Sequence, residues 1–176
     1  MSKKGFLTAA EYKALRELLG FSQQEAAEFH KLQNARTIRR WERGDSWVSQ
    51  IASDKICALA EKVNSTINQI VEPILKYDPS QAGGVFIVYP GDTHQKFLPD
   101  TQGLPAPVHR AMIGRIYSIL HQKGYEVGIV EFNAQDYMAF LGRKGLTDTQ
   151  STRAMWASDY RSRLLASELE EEANKH

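Results

Sequence analysis

The chain has 176 residues, 42% of them hydrophobic, and its 22 lysines and arginines against 21 aspartates and glutamates give a net charge of +1. This is enough apolar material for one large or two small cores, while the total charge indicates no class of partner. A single cysteine excludes an internal disulfide and a cysteine-based zinc site. Without a recognisable signal peptide or an apolar run of spanning length, the sequence predicts a soluble, cytoplasmic protein.

The amino-terminal part predicts a bundle of short helices. Thr8-Ala-Ala-Glu11 and Ser22-Gln-Gln-Glu25 are capping-box patterns, and each is expected to open a helix. A third helix is expected from near Asn34, as its N-cap, to Gly44. A fourth and a fifth helix are expected from apolar residues at helical spacing: Ile51, Ile56, Leu59 and Val63, then Ile67, Ile70, Val71 and Ile74. These five helices define a predicted domain at residues 1–76.

The third predicted helix combines an apolar face with a cationic one. Ile38 and Trp41 are three residues apart and therefore share a face. If that face points inward, the outer and flanking faces carry Arg36, Arg39, Arg40 and Arg43. The planar fork of arginine matches the major-groove edge of guanine or two phosphate oxygens. The pattern favours a DNA-binding helix over the plain alternative of a solvated charged face.

These residues resemble the lambda-repressor-like (Cro-type) helix-turn-helix domain. The resemblance is carried by Leu15-Arg16, Ser22-Gln23, Ala27, Thr37-Ile38 and Trp41-Glu42-Arg43-Gly44. The spacing from Ala27 to Trp41 is one residue longer than the commonest form. This variant is similar to the YdiL-like subgroup, which includes anti-CRISPR-associated autorepressors.

The resemblance implies a role for each matching residue. Gln23 is expected to contact a DNA phosphate and Arg43 the DNA backbone. Arg16 and Glu42 are expected to form an ion pair between the first and third helices. The residues expected to face the major groove are Asn34, Arg36, Thr37, Arg39 and Arg40.

The carboxy-terminal half predicts a small α+β domain at residues 85–176, after a turn-rich linker at 77–84. Apolar runs at 85–89 and 125–132 predict two strands, separated by a long proline-containing loop and a helix at 108–122. Two further helices are expected, one after the N-cap Asn133 and one from the capping box Thr147-Asp-Thr-Gln150. The predicted fold class is therefore mainly α, with a small β-α-β-α-α part at the carboxyl end.

Two strands make a marginal sheet, so a second copy of the chain is an economical way to complete it. The YdiL-like resemblance also implies a dimerisation domain, on Gln135-Asp136-Tyr137, Leu141-Gly142-Arg143, Asp148 and Arg153-Ala-Met-Trp156-Ala157. The residues expected to serve dimerisation are Phe86, Val88, Tyr137 and Trp156.

No catalytic constellation or phosphate-binding loop is evident, so neither an enzyme, a cofactor nor a metal site is expected. His94 and His109, in or beside the long loop, are expected to be unrelated surface histidines. The leading hypothesis is a dimeric, sequence-specific DNA-binding autorepressor that recognises an inverted repeat. The alternative is an antitoxin-type module whose carboxy-terminal half binds a partner protein, and RNA binding by the same cationic surface stays open.

Overall fold

A computed structural model of the chain describes residues 6–175 and separates them into two compact units, with the boundary between residues 70 and 71. The boundary between the units falls inside a helix, before the linker that the sequence predicts at 77–84. The predicted linker therefore belongs to the second unit, and its last two residues already lie in a strand. Within residues 6–175, no helix is both long and apolar enough to cross a membrane.

In its described residues, the first unit is built from helices. They are α1 (Ala9–Leu18), α2 (Gln23–Phe29), α3 (Arg36–Arg43) and α4 (Gln50–Ile74). Both predicted capping boxes are confirmed: Thr8 and Ser22 accept from the backbone N–H groups of Glu11 and Glu25, whose carboxylates accept in return. Each box satisfies two donors that an α-helix leaves unpaired at its start.

The prediction of separate fourth and fifth helices is wrong, because α4 is one continuous helix of 25 residues. Neither glycine nor proline interrupts the chain between the two predicted segments, and Pro73 comes only in the last turn. One buried stripe at helical spacing runs along the helix through Ile56, Ala60, Val63, Ile67 and Val71. A single continuous apolar face favours one helix over two.

The second unit contains a two-stranded parallel sheet, in which β1 (Gly83–Val88) pairs with β2 (Glu126–Glu131) from Gly83↔Glu126 to Val88↔Glu131. The other elements are α5 (Gly91–His94), a 3₁₀ turn (Gln95–Phe97), α6 (Ala106–Gln122), α7 (Ala134–Lys144) and α8 (Gln150–Ala173). Parallel strands need a long crossover, which α6 provides. The expected fold class, mainly helical with a small amount of β-structure, is confirmed.

Helices cover both faces of this small sheet. Val85, Ile87 and Val130 pack on one side with the cluster that includes Trp156 of α8. Val88 and Val127 are buried on the other side, where α6 contacts both strands. The alternation of side chains along each strand divides the core of this unit into two layers.

Two details of the second unit differ from the sequence prediction. The capping box that opens α8 is formed by Thr149 and Thr152, two residues after the predicted start at Thr147. Gly83 lies in β1 and not in a turn, and the position favours glycine because a Cβ there would sit 2.7 Å from the carbonyl oxygen of Glu126. Asn133 caps α7 as predicted, accepting from the N–H of Asp136 at 3.0 Å.

Candidate nucleic-acid interface

Helix α3 is anchored in the first unit by its apolar face. Ile38 is fully buried and Trp41 is 6% exposed, with its ring edge-on to Tyr12 at a centroid distance of 5.3 Å. Gly44 ends the helix in the left-handed conformation (φ 78°), which glycine adopts without a steric penalty. Ile38 and Trp41 therefore point inward, which is the condition on which the expected cationic outer face of this helix depends.

The opposite side of α3 is cationic. Arg36, Arg39, Arg40 and Arg43 are all exposed, and Thr37 is half-buried. Arg43 forms a salt bridge of 2.8 Å with Asp45, whereas the other three arginines make no ion pair within residues 6–175. Three uncompensated guanidinium groups on one helix face form a surface suited to an anionic partner.

The prediction that Asn34 is the N-cap of this helix is wrong, because the N-cap is Ala35 and no side chain caps the helix start. Helix α3 begins at Arg36, and Asn34 Oδ1 accepts from the N–H of Arg36 at 2.9 Å, two residues on. The side chain is exposed, but this bond already uses its carbonyl oxygen. Asn34 therefore stabilises the turn before α3 through its carbonyl oxygen.

A buried ion pair joins α1 to α3, as the resemblance to helix-turn-helix domains implies. The Nε of Arg16 donates to Glu42 Oε1, and Nη1 of Arg16 donates to the Phe21 carbonyl at 2.5 Å. Both side chains are less than a tenth exposed. Gln23 Nε2 also donates to Glu42 at 2.8 Å, so its amide nitrogen is engaged inside the unit. The phosphate contact expected for Gln23 would therefore have to use a donor other than the Nε2–H that binds Glu42.

Behind α3 lies a half-buried histidine that the sequence did not single out. The ring of His30 lies between those of Tyr12, Phe29 and Trp41, at centroid distances of 5.0 to 5.9 Å. Burial, reinforced by the positive charge of Lys55, lowers the pKa of His30 to about 4. His30 is therefore neutral at physiological pH and adds no positive charge to the cationic surface of α3.

The expectation that Val88, Tyr137 and Trp156 serve dimerisation is wrong for direct contacts. Each is at most 7% exposed and is enclosed by the second unit of its own chain. The indole N–H of Trp156 donates to Asp136 at 2.7 Å, and the Tyr137 hydroxyl donates to Asp148 at 2.7 Å. Phe86 is half-buried, so part of its side chain is accessible for contact with a second copy.

An exposed stripe on α8 offers a different surface. Its residues recur at alternating intervals of three and four, and we call them the α8 stripe: Met155, Ser158, Ser162, Leu165 and Leu169. Met155, Leu165 and Leu169 are 56%, 44% and 67% exposed. This spacing is typical of a seam between two helices. The sequence contains this spacing, but only the structure shows that the second unit leaves the stripe exposed.

The prediction that His94 and His109 are surface residues is also wrong. They are 2% and 3% exposed, and their rings are 5.7 Å apart. His94 Nε2 is 2.7 Å from the Leu104 carbonyl, which ties the start of the long connection to its end. Among the side chains that the structure describes, which do not include that of Asp92, no three histidine, cysteine or acidic groups are placed so that they could hold a metal ion.

Comparison with known families gives one match. The family described as Domain of unknown function (DUF4447) matches residues 1–160, and the chain therefore belongs to this family. A search of the curated proteins finds no match to the chain.

Proposed function

We propose that this member of the DUF4447 family is a sequence-specific DNA-binding transcriptional regulator, an autorepressor related to the YdiL-like, lambda-repressor-like helix-turn-helix proteins. The observation that carries the proposal is the exposed cationic face of α3 on a helix whose other face is buried. A helix that only carries solvated charges does not need a fixed position. Here Ile38 and Trp41 lie in the core and the buried Arg16–Glu42 pair fixes the helix further. A recognition helix requires a fixed position, because base contacts demand a defined register.

The dimensions of α3 suit the proposed contact. An α-helix with its side chains is about 10–12 Å across and enters the major groove of B-DNA, which is about 12 Å wide. In this proposal, Arg36, Arg39 and Arg40 reach base edges with help from Thr37. Arg43, which already forms a salt bridge with Asp45, contacts the DNA backbone.

The proposed regulator acts as a dimer, and the α8 stripe is the surface that supports this. Its apolar members are exposed in the second unit, and its spacing suits a matching helix of a second copy. Two recognition helices entering successive major grooves require half-sites about 34 Å, or about 10 bp, apart. The operator is therefore an inverted repeat.

The test is selection from random duplexes with the purified chain at near-physiological salt. We expect an enriched inverted repeat, present upstream of the protein's own gene if it represses itself. On that repeat, Arg39→Ala costs about 1–3 kcal/mol of binding free energy and relaxes one base position. Arg110→Ala, an exposed arginine on α6, is the matched control and leaves affinity unchanged. The absence of any enriched motif, or equal losses in the two variants, contradicts the proposal.

The α8 stripe also favours a second candidate, an antitoxin-type module whose carboxy-terminal half binds a partner protein. In that case, the stripe contacts another protein and the free chain sediments as a monomer at micromolar concentration. Co-purification of a protein encoded beside this gene, lost in the double variant Leu165→Glu/Leu169→Glu, supports this candidate. A stable dimer in the purified chain favours the first.

A further inference from the structure

A cavity of about 670 Å³ opens in the second unit at the carboxyl ends of both strands. Its wall includes Lys96 and Phe97 from the segment that follows β1, and Phe132 from the residue that follows β2. In sheets of parallel strands covered by helices, ligands bind in the crevice beyond these strand ends. The volume lies within the range of small-molecule sites.

Most of the cavity wall is apolar. Phe97, Phe132 and Leu141 are buried residues that present one side to the cavity, and Leu146 lies beside them. Met138, also in the wall, is 63% exposed. A flexible thioether at the rim of a hydrophobic cavity adapts to the shape of an occupant. These residues suit the apolar body of a small molecule.

Two charged side chains line the cavity, and only one of them is already paired. Asp148 accepts from the Tyr137 hydroxyl and from Arg153, with which it forms a salt bridge. Burial opposes its ionisation, but the hydrogen bonds from Tyr137 and Arg153, with the charges of Arg153 and Lys96, lower the pKa of Asp148. Its carboxylate is therefore ionised and neutralised by the protein.

Lys96 differs, because none of the carboxylates that the structure describes, a set that leaves out the side chain of Asp92, lies at salt-bridge distance from its ammonium group. The group lies 5.4 Å from the ring centroid of Phe97, at the aromatic part of the wall. An anion bound here gains an ionic hydrogen bond that the folded chain does not supply.

We propose that the cavity binds a small amphipathic carboxylate, whose apolar body packs on Phe97, Phe132 and Leu141 and whose carboxylate pairs with Lys96. The site lies wholly within the second unit and does not depend on DNA binding.

The test uses the full chain, with octanoate and phenylpropionate as probes. Nuclear magnetic resonance titration follows the amide signals of residues around the cavity, and calorimetry gives the dissociation constants. Octanol and octylamine are matched probes that keep the apolar body and replace the anion. We expect both carboxylates to bind and both matched probes to bind at least about tenfold more weakly.

Two pairs of variants locate the site. Gly142 lines the cavity on α7, and a Cβ at this position has no atom within 4 Å, so Gly142→Leu is chosen to place an apolar side chain at the cavity wall. Gly114→Leu on α6 has the same open surroundings outside the cavity and is the control. Lys96→Met removes the charge and keeps most of the stem, with Lys13→Met on α1 as its control.

We expect Gly142→Leu and Lys96→Met to weaken carboxylate binding by about tenfold or more, with both controls unchanged and circular dichroism of all four variants native. Three results would overturn the proposal: no carboxylate binding at millimolar concentration, undiminished binding in Gly142→Leu, or equal binding of octanol or octylamine.

Discussion

The Arg16–Glu42 pair illustrates how one buried contact fixes the orientation of a helix. Both charges have been removed from water, and each is compensated mainly by the other. Phe21 and Gln23 complete the hydrogen bonding around them. A buried pair adds little net stability compared with apolar residues of similar size, but losing one partner leaves an unpaired charge. The pair therefore constrains how α3 sits on α1.

We predict that Arg16→Met lowers the free energy of unfolding by about 3–5 kcal/mol, because Glu42 is then buried without its cation. Arg43→Met is the matched control, since the Arg43–Asp45 pair is exposed, and its loss costs at most about 1 kcal/mol. Urea unfolding followed by circular dichroism measures both. Equal effects in the two variants would mean that the Arg16 pair behaves as a surface contact.

At the level of single residues, sequence reasoning predicted most of what local chemistry determines, but it placed the N-caps of α3 and α8 one and two residues too early. The caps at Thr8, Ser22 and Asn133 depend on neighbours three residues away, and all three are present. The burial of Trp156 was not predictable in the same way. An apolar residue shows that something must cover it, but not whether its own chain or a second copy does so.

Helix α8 shows the same difficulty at the level of an element. Its first part packs against the sheet through Trp156 and Ala157, whereas residues 162–173 are exposed. Periodicity predicts such a helix but does not show where the core ends along it. The α8 stripe continues past that point with Leu165 and Leu169, and this makes the second half of α8 the region where an association test is most informative.

The double variant Leu165→Glu/Leu169→Glu is predicted to weaken self-association by more than about tenfold, because two charges would have to be buried in the seam. Sedimentation velocity over a concentration series measures the change. Leu164→Glu is the matched control: its exposure of 41% is close to that of Leu165, but it lies about 100° around the helix. A dimer that persists in the double variant would exclude the stripe as the interface.

For the whole molecule, acid is expected to destabilise both units through one histidine in each whose pKa is lowered in the folded state. Burial lowers the pKa of His109 to about 4, an effect that the neighbouring His94 reinforces and Asp100 opposes. His30 in the first unit has a similarly lowered pKa. Since each pKa is lower in the folded state than in the unfolded state, the unfolded chain takes up protons first as the pH falls.

Stability is therefore predicted to fall between about pH 6.5 and pH 4, by at most about 3 kcal/mol for each histidine, and to be unaffected by them above that range. Melting temperatures measured across this range test the prediction. His109→Gln should flatten the dependence for the second unit, whereas His121→Gln, an exposed control on α6, should not. An unchanged slope in His109→Gln would contradict the assignment.

The parallel pairing of β1 with β2 has a kinetic consequence. The residues that pair are 43 positions apart, so the sheet can form only after a long loop has closed. The contacts of α1, α2 and α3 are closer in sequence, and such contacts favour rapid folding. During synthesis, the first unit is therefore expected to fold while the apolar strand at residues 83–88 still waits for its partner. In that interval, its unpaired edge is the segment most exposed to aggregation and to chaperones.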